Sequence, residues 1–180
     1  MLRLRPAVLA VAFGLLVACA AKPPPRWAEG GQSLVIPRAR WERHGEVVDI
    51  LPDGRVLVDG EHAFTVDGAG RVYEPNNEPV SVLEPDGRLR GKDDADLGEV
   101  GLMSAAPKGS KYAWVVIAPN GHVTTYDEEG RPRHDGVWSG CVGESVQTCT
   151  LVSHLLVERH VRRAHGPRFG IGIGVIMPIR

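Results

Sequence analysis

Four glycines, Gly54, Gly70, Gly87 and Gly121, each sit in a short polar turn between runs rich in valine, leucine and threonine. The stretches read VVDILPDGRVLVDG, FTVDGAGRVYE, VSVLEPDGRLRG and AWVVIAPNGHVTTYD. Asp-Gly and Asn-Gly tolerate positive φ at both central positions of a two-residue turn, which matches the twist of paired strands. The glycines are spaced 16, 17 and 34 residues apart, and the last interval is twice 17. A short β-branched run, a tight glycine turn and a second such run read as a hairpin, so a chain punctuated this way reads as hairpins laid side by side.

A single hairpin cannot bury its apolar face, so the repeats must meander or stack against one another. The expectation is a mainly β fold: an antiparallel hairpin meander of roughly six to eight strands, or a partly closed barrel. One repeat in the long interval is degenerate, around 98–111, where Pro107-Lys108-Gly109 makes a poorer turn. The pattern over 49–101 loosely resembles the glycine-punctuated hairpin arrays of bacterial surface proteins, a resemblance that carries no functional residue with it.

The last third changes character. Val152, Leu155, Leu156, Val161 and Ala164 fall near helical spacing within 147–165, and Gly166-Pro167 is a normal helix stop. The valine content leaves a strand reading open. After it, Phe169, Ile171, Ile173, Val175 and Met177 alternate with Gly170, Gly172 and Gly174, which predicts a final apolar strand.

At the other end, Arg3 and Arg5 precede an uncharged run over 7–17, too short to span a bilayer but the right length for a secretory signal. A buried core helix would leave Pro23, Pro24 and Pro25 unexplained. Leu16-Val17-Ala18-Cys19 resembles the lipobox of bacterial lipoproteins. That resemblance implies a signal peptide over 1–18, lipidation of Cys19 and a cell-envelope address. With Ala20 rather than aspartate next, it implies the outer membrane of a Gram-negative bacterium. Residues 19–45 then read as a lipidated tether and proline-rich lead-in, with 21–26 a stiff spacer, and 46–180 as one mostly-β domain.

Removing Arg3 and Arg5 with the leader takes the 21 basic residues to 19 against 22 acidic, a net charge of −3. No basic field favours nucleic acid, so the expected partners are the membrane, through the lipid, and envelope proteins. With Cys19 lipidated, Cys141 and Cys149 remain, and in an oxidising compartment a close pair reads as a disulfide. The competing reading makes Cys149 a nucleophile beside His154, which requires a free, activated thiolate.

Other candidate sites are thin. The Gly170-x-Gly172-x-Gly174 spacing lacks the following helix of a nucleotide loop. DDADLGE at 93–99 places Ala105 where a calcium loop needs glutamate, and reads as an acidic turn. His134, His154, His160 and His165 show no zinc spacing and default to surface or capping roles. VWSGC around Ser139 lacks the glycines of a nucleophile elbow. Of the four tryptophans, Trp114 reads as core, whereas Trp27 and Trp41 either pack on the domain or face a partner.

The expected function is a structural or interaction module of the envelope, with no catalytic residue, cofactor or metal to nominate. A small-ligand or glycan binder using the mouth of the β-array is the alternative. A metal-assisted hydrolase using the histidine-rich segment is the third reading.

Overall fold

Every strand pairs with its neighbours in sequence, and the last returns to the first. The computed structural model describes residues 21–127 and 129–165, with side chains through Arg159. Its strands are β1 (Ala39–Arg43), β2 (Glu46–Ile50), β3 (Arg55–Val58), β4 (Glu61–Val66), β5 (Arg71–Tyr73) and β6 (Pro79–Leu83). They continue with β7 (Arg88–Gly91), β8 (Asp96–Val100), β9 (Ser104–Ala106), β10 (Val115–Ile117), β11 (His122–Tyr126) and β12 (Pro132–Ser139). A single helix, α1 (Val146–His165), follows. All pairings are antiparallel, and β1 closes on β12 with Trp41 opposite Trp138, making a closed barrel of twelve strands.

The meander expectation holds, but the strand number is larger and closure is complete. Each 17-residue unit supplies two strands and two turns. The 34-residue interval holds β7 to β10, its weak turn lying at Gly101, whose N–H bonds Ser104 O. The barrel also begins earlier than the expected boundary at 46: β1 lies in the lead-in and places Trp41, fully buried, in the core.

Turn geometry differs from expectation at the repeat glycines. In Leu51-Pro52-Asp53-Gly54 the glycine N–H bonds Leu51 O, Leu51 N–H bonds Arg55 O, and only Gly54 has positive φ. This is a type I turn followed by a left-handed glycine, and Pro52 suits its second position because its φ is preset. The aspartate Oδ1 accepts the Arg55 N–H, and Arg55 Nε donates to Oδ2 at 2.8 Å. Two-residue turns with both φ positive do occur, at His44-Gly45 and Asp59-Gly60. Gly54 is held twice over: its carbonyl accepts the Val66 N–H, and a Cβ there would lie 2.0 Å from Val66 O.

Side chains of Trp41, Val48, Ile50, Val56, Phe64, Val72, Leu89 and Val123 point inward and are sealed from solvent. Arg40, Glu42, Arg55, Arg88 and Glu99 stand exposed on the outer wall. This is the reverse of a lipid-facing barrel, whose outer band is apolar. Among the described residues no helix is long and apolar enough to cross a membrane, which says nothing of strands.

The segment 147–165 is helical, which resolves its strand alternative, and it fills the lumen. Ten consecutive residues, 148–157, are buried, so this stretch of α1 is enclosed on every side. A closed barrel offers no free edge, so only an element that satisfies its own backbone can occupy the interior. Leu151, Val152, Leu155 and Leu156 supply apolar contact, each contributing about 1.5–3 kcal/mol on burial. The polar residues are matched individually. Thr148 donates to Val35 O and Thr150 to Leu102 O, each at 2.8 Å, and Trp138 Nε1 donates to Ser153 Oγ at 2.9 Å.

Cys19, the proposed signal and the predicted final strand over 169–177 lie outside the described residues.

Candidate functional site

Because α1 occupies the lumen, the surfaces open to other molecules are the outer wall and the two rims. The upper rim, where α1 enters, carries the repeat turns and the Cys141–Cys149 disulfide, with its Cα atoms 6.3 Å apart. The bond ties the end of β12 to the first turn of α1. It leaves Cys149 without the free thiolate that the nucleophile reading required. Val35, Leu102 and Val142 stand exposed around the same entrance, although the carbonyls of Val35 and Leu102 hold Thr148 and Thr150.

The lower rim, where α1 leaves, is formed by the connections at 44–45, 59–60, 74–78, 92–95, 107–114 and 127–131. A buried ion pair anchors it. Arg43 donates bidentately to Asp135, with Nε at 3.2 Å and Nη2 at 2.9 Å from its two carboxylate oxygens. The guanidinium lies over the Trp41 ring at 4.5 Å, and Trp41 Nε1 donates to Asp135 O at 2.7 Å. Glu46 shares the cation at 3.4 Å. Asp135 turns inward because β12 bulges there: Gly136 has φ +89°, and a Cβ on it would collide with Glu42 O. An open depression of about 800 Å³ lies over this pair, lined by His44, Thr125, Tyr126, Arg131 and Val157 among others.

A larger groove of about 1160 Å³ adjoins it outside the barrel, between the 107–114 and 127–131 connections. Tyr112, Trp114, Val116 and Tyr126 give it an apolar, aromatic lining, with Asp127 and Arg131 at its side. Arg131 Nε donates to Asp127 Oδ2 at 2.7 Å. Backbone N–H groups of Arg131 and Glu129 also bond that carboxylate and hold it below its ordinary pKa. The chemistry on offer is stacking against flat apolar surfaces and charged hydrogen bonding at one edge.

Behind the groove, Trp114 Nε1 donates to His154 Nδ1 at 2.9 Å. An indole N–H only donates, so Nδ1 is unprotonated and the proton sits on Nε2, which donates to Leu97 O at 2.9 Å. His154 is fully buried, a correction to the surface role expected of it. Burial lowers its pKa; the bond to Leu97 O and the charge of Glu158 act in the opposite sense.

His134 is exposed, its ring 5.2 Å from that of His122 and its carbonyl bonded to His44 Nε2 at 2.9 Å. The side chains of His160 and His165 lie outside the description. Among the described residues no group of three or more histidine, cysteine, aspartate or glutamate side chains could hold a metal ion. The acidic turn has structural duties: Asp93 Oδ1 accepts the Lys22 N–H, Asp94 faces Arg90 at 3.7 Å, and Asp96 accepts the Gly98 N–H.

Sequence reading did not find the Arg43–Asp135 pair or the groove. A trace of the first was present as an aspartate followed by glycine inside an otherwise continuous strand. No family model, curated protein or solved structure matches this chain.

Proposed function

We propose that the chain is a lipid-anchored envelope protein that acts as an interaction module through the rims of a filled barrel. The carrying observation is the enclosure of α1. Ten successive buried residues occupy the space in which a hollow barrel would hold a ligand, so recognition falls to the exterior. The lipobox resemblance supplies the anchor at Cys19, and attachment to a surface raises the effective concentration for partners on that surface. Val35, Leu102 and Val142 at the upper rim provide exposed apolar contacts of the kind a protein partner covers.

The test has two parts. The mature N-terminal peptide should begin at Cys19 with an acyl mass, and Cys19→Ser should release the protein from the membrane fraction. A photocrosslinking residue at 142 should give a discrete adduct in intact envelopes, with none at the outer-wall position 99. Unchanged membrane sedimentation of Cys19→Ser removes the anchor, and adducts at neither or both positions remove the rim contact.

The aromatic groove favours a second reading, a small-ligand or glycan binder, with its site outside the barrel rather than in its mouth. A ligand stacking there should shift tryptophan emission in the wild type and not in Trp114→Phe.

A further inference from the structure

The two ends of the described chain leave the barrel by the same rim. At the N-terminal side, Lys22 pairs with the turn between β7 and β8: its N–H donates to Asp93 Oδ1 at 2.9 Å, and Asp93 N–H donates to Lys22 O at 3.0 Å. That turn belongs to the lower rim. The chain then runs up the outer wall toward the upper rim, and its packing is firm. Trp27 meets Tyr73 edge-on at 4.8 Å, and Arg71 reaches Trp27 O. Arg71 is itself fixed by Asp67, 2.7 Å from its Nε. Burial pushes the Asp67 carboxyl up, but bonds from Arg71, Tyr73 and Ala69 outweigh it and hold the group below its ordinary pKa. Gly31, Gln32 and Leu34 finally bond Ala69 O, Leu83 O and Gly68 O at the upper rim. Residues 22–34 are therefore part of the barrel's surface, which corrects the expectation of a stiff spacer at 21–26.

This docking constrains the anchor. Two residues, Ala20 and Ala21, separate Cys19 from Lys22, so the three steps between them reach at most about 11 Å. Five-residue strands such as β1 and β8 are about 17 Å long, so an anchor tied this closely to Lys22 starts nearer the lower rim than the upper. The C-terminal side selects the same rim. Arg159 lies beside the lower-rim residue Glu74 at 3.7 Å, and six more helical residues carry the backbone about 9 Å further in the same direction. The sequence beyond, 166–180, contains an uncharged run at 169–179 between Arg168 and Arg180. The same rim also presents the 107–114 connection, in which Lys108, Lys111 and Tyr112 are all exposed, Tyr112 by 84%. Tyrosine with lysine suits the headgroup layer, where one part of the side chain is apolar and the other wet.

We infer that the lower rim is a lipid-facing surface: the barrel stands with this end on the bilayer that holds its anchor and turns its upper rim away. The inference rests on Cys19 being the lipidated residue. It gives the 107–114 connection the role of a headgroup contact and leaves Val35, Leu102 and Val142 at the end of the barrel away from the bilayer, free to meet the exposed parts of proteins held on the same membrane.

The experiment uses the full lipidated chain in vesicles of phosphatidylethanolamine and phosphatidylglycerol. With Cys141 and Cys149 bonded and Cys19 acylated, one introduced cysteine is the only free thiol for a fluorophore. Single variants Asn76→Cys and Lys111→Cys report the lower rim, Ser33→Cys and Glu144→Cys the upper rim, and Glu99→Cys the wall. A headgroup-labelled nitroxide lipid should cause the largest loss of emission at 76 and 111 and leave 33 and 144 as in quencher-free vesicles. Equal quenching at all positions, or greatest quenching at 99, 33 or 144, overturns the orientation while leaving the anchor intact. Failure of the unlabelled protein to float with vesicles, together with no acyl mass at Cys19, defeats the anchor and the orientation with it.

Discussion

Replacing His154 with glutamine tests whether a neutral imidazole is a structural part of the filled barrel. The side chain has no solvent contact, accepts from Trp114 Nε1 and donates to Leu97 O, each at 2.9 Å. Glutamine can still donate to Leu97 O but leaves the indole N–H without its acceptor, a loss of about 1–3 kcal/mol. The expected destabilisation near pH 7.5 is about 2 kcal/mol. The pH dependence is the sharper signature. Burial depresses the native pKa of His154 below its ordinary 6.5. Below pH 6.5 the unfolded chain takes up a proton that the native state refuses, so wild-type stability falls as pH drops, by at most about 1.4 kcal/mol per unit. The contribution is fully present above 6.5 and is lost on acidification through the window down to the native pKa. His154→Gln lacks this titration, while Glu158, which faces the imidazole, is retained in both proteins. Urea unfolding followed by tryptophan emission from pH 7.5 to 5 should therefore show the gap between wild type and variant narrowing below 6.5. A gap that stays constant across that range would refute the buried neutral histidine.

Other predictions follow from single contacts. Gly121→Ala should lower the melting temperature markedly, because the residue has φ +83° and its Cβ would lie 2.2 Å from Trp138 O. Gly109→Ala, at φ +72° with open space around it, should cost only the left-handed backbone penalty of about 1–2 kcal/mol. Asp135→Ala should destabilise by about 3–5 kcal/mol in chemical denaturation, since it strands the Arg43 guanidinium inside the rim; Glu46, 3.4 Å away, offsets part of this. Replacing Cys141 and Cys149 together by serine should lower unfolding stability by about 2–3 kcal/mol through the freed loop, and a reductant titration of the wild type should reach the same value.

Local chemistry is what the sequence carried in readable form. The turn glycines at 54, 70, 87 and 121, the hairpins between them, the Cys141–Cys149 pair and the helix after 146 all depend on neighbours within a few residues, so spacing reveals them. Even the turn type has a local mark: Pro52, Pro85 and Pro119 precede the Asp-Gly and Asn-Gly of three repeat turns, and their fixed φ suits the second position of a type I turn. Closure was not readable. It joins Trp41 in the first strand to Trp138 in the last, and a strand's side-chain pattern is the same in an open sheet as in a barrel. The placement of α1 was hidden for a related reason. Thr148, Thr150, Ser153 and His154 look like a polar face, yet each is bonded inside the barrel by a carbonyl or an indole 40–113 residues away, or 15 for Ser153. Burial of a polar side chain depends on what the tertiary structure aims at it, and only the closed ring of strands aims those groups inward. The same closure put Lys22 and the outgoing end of α1 on one rim, a relation between segments over a hundred residues apart that no local pattern records.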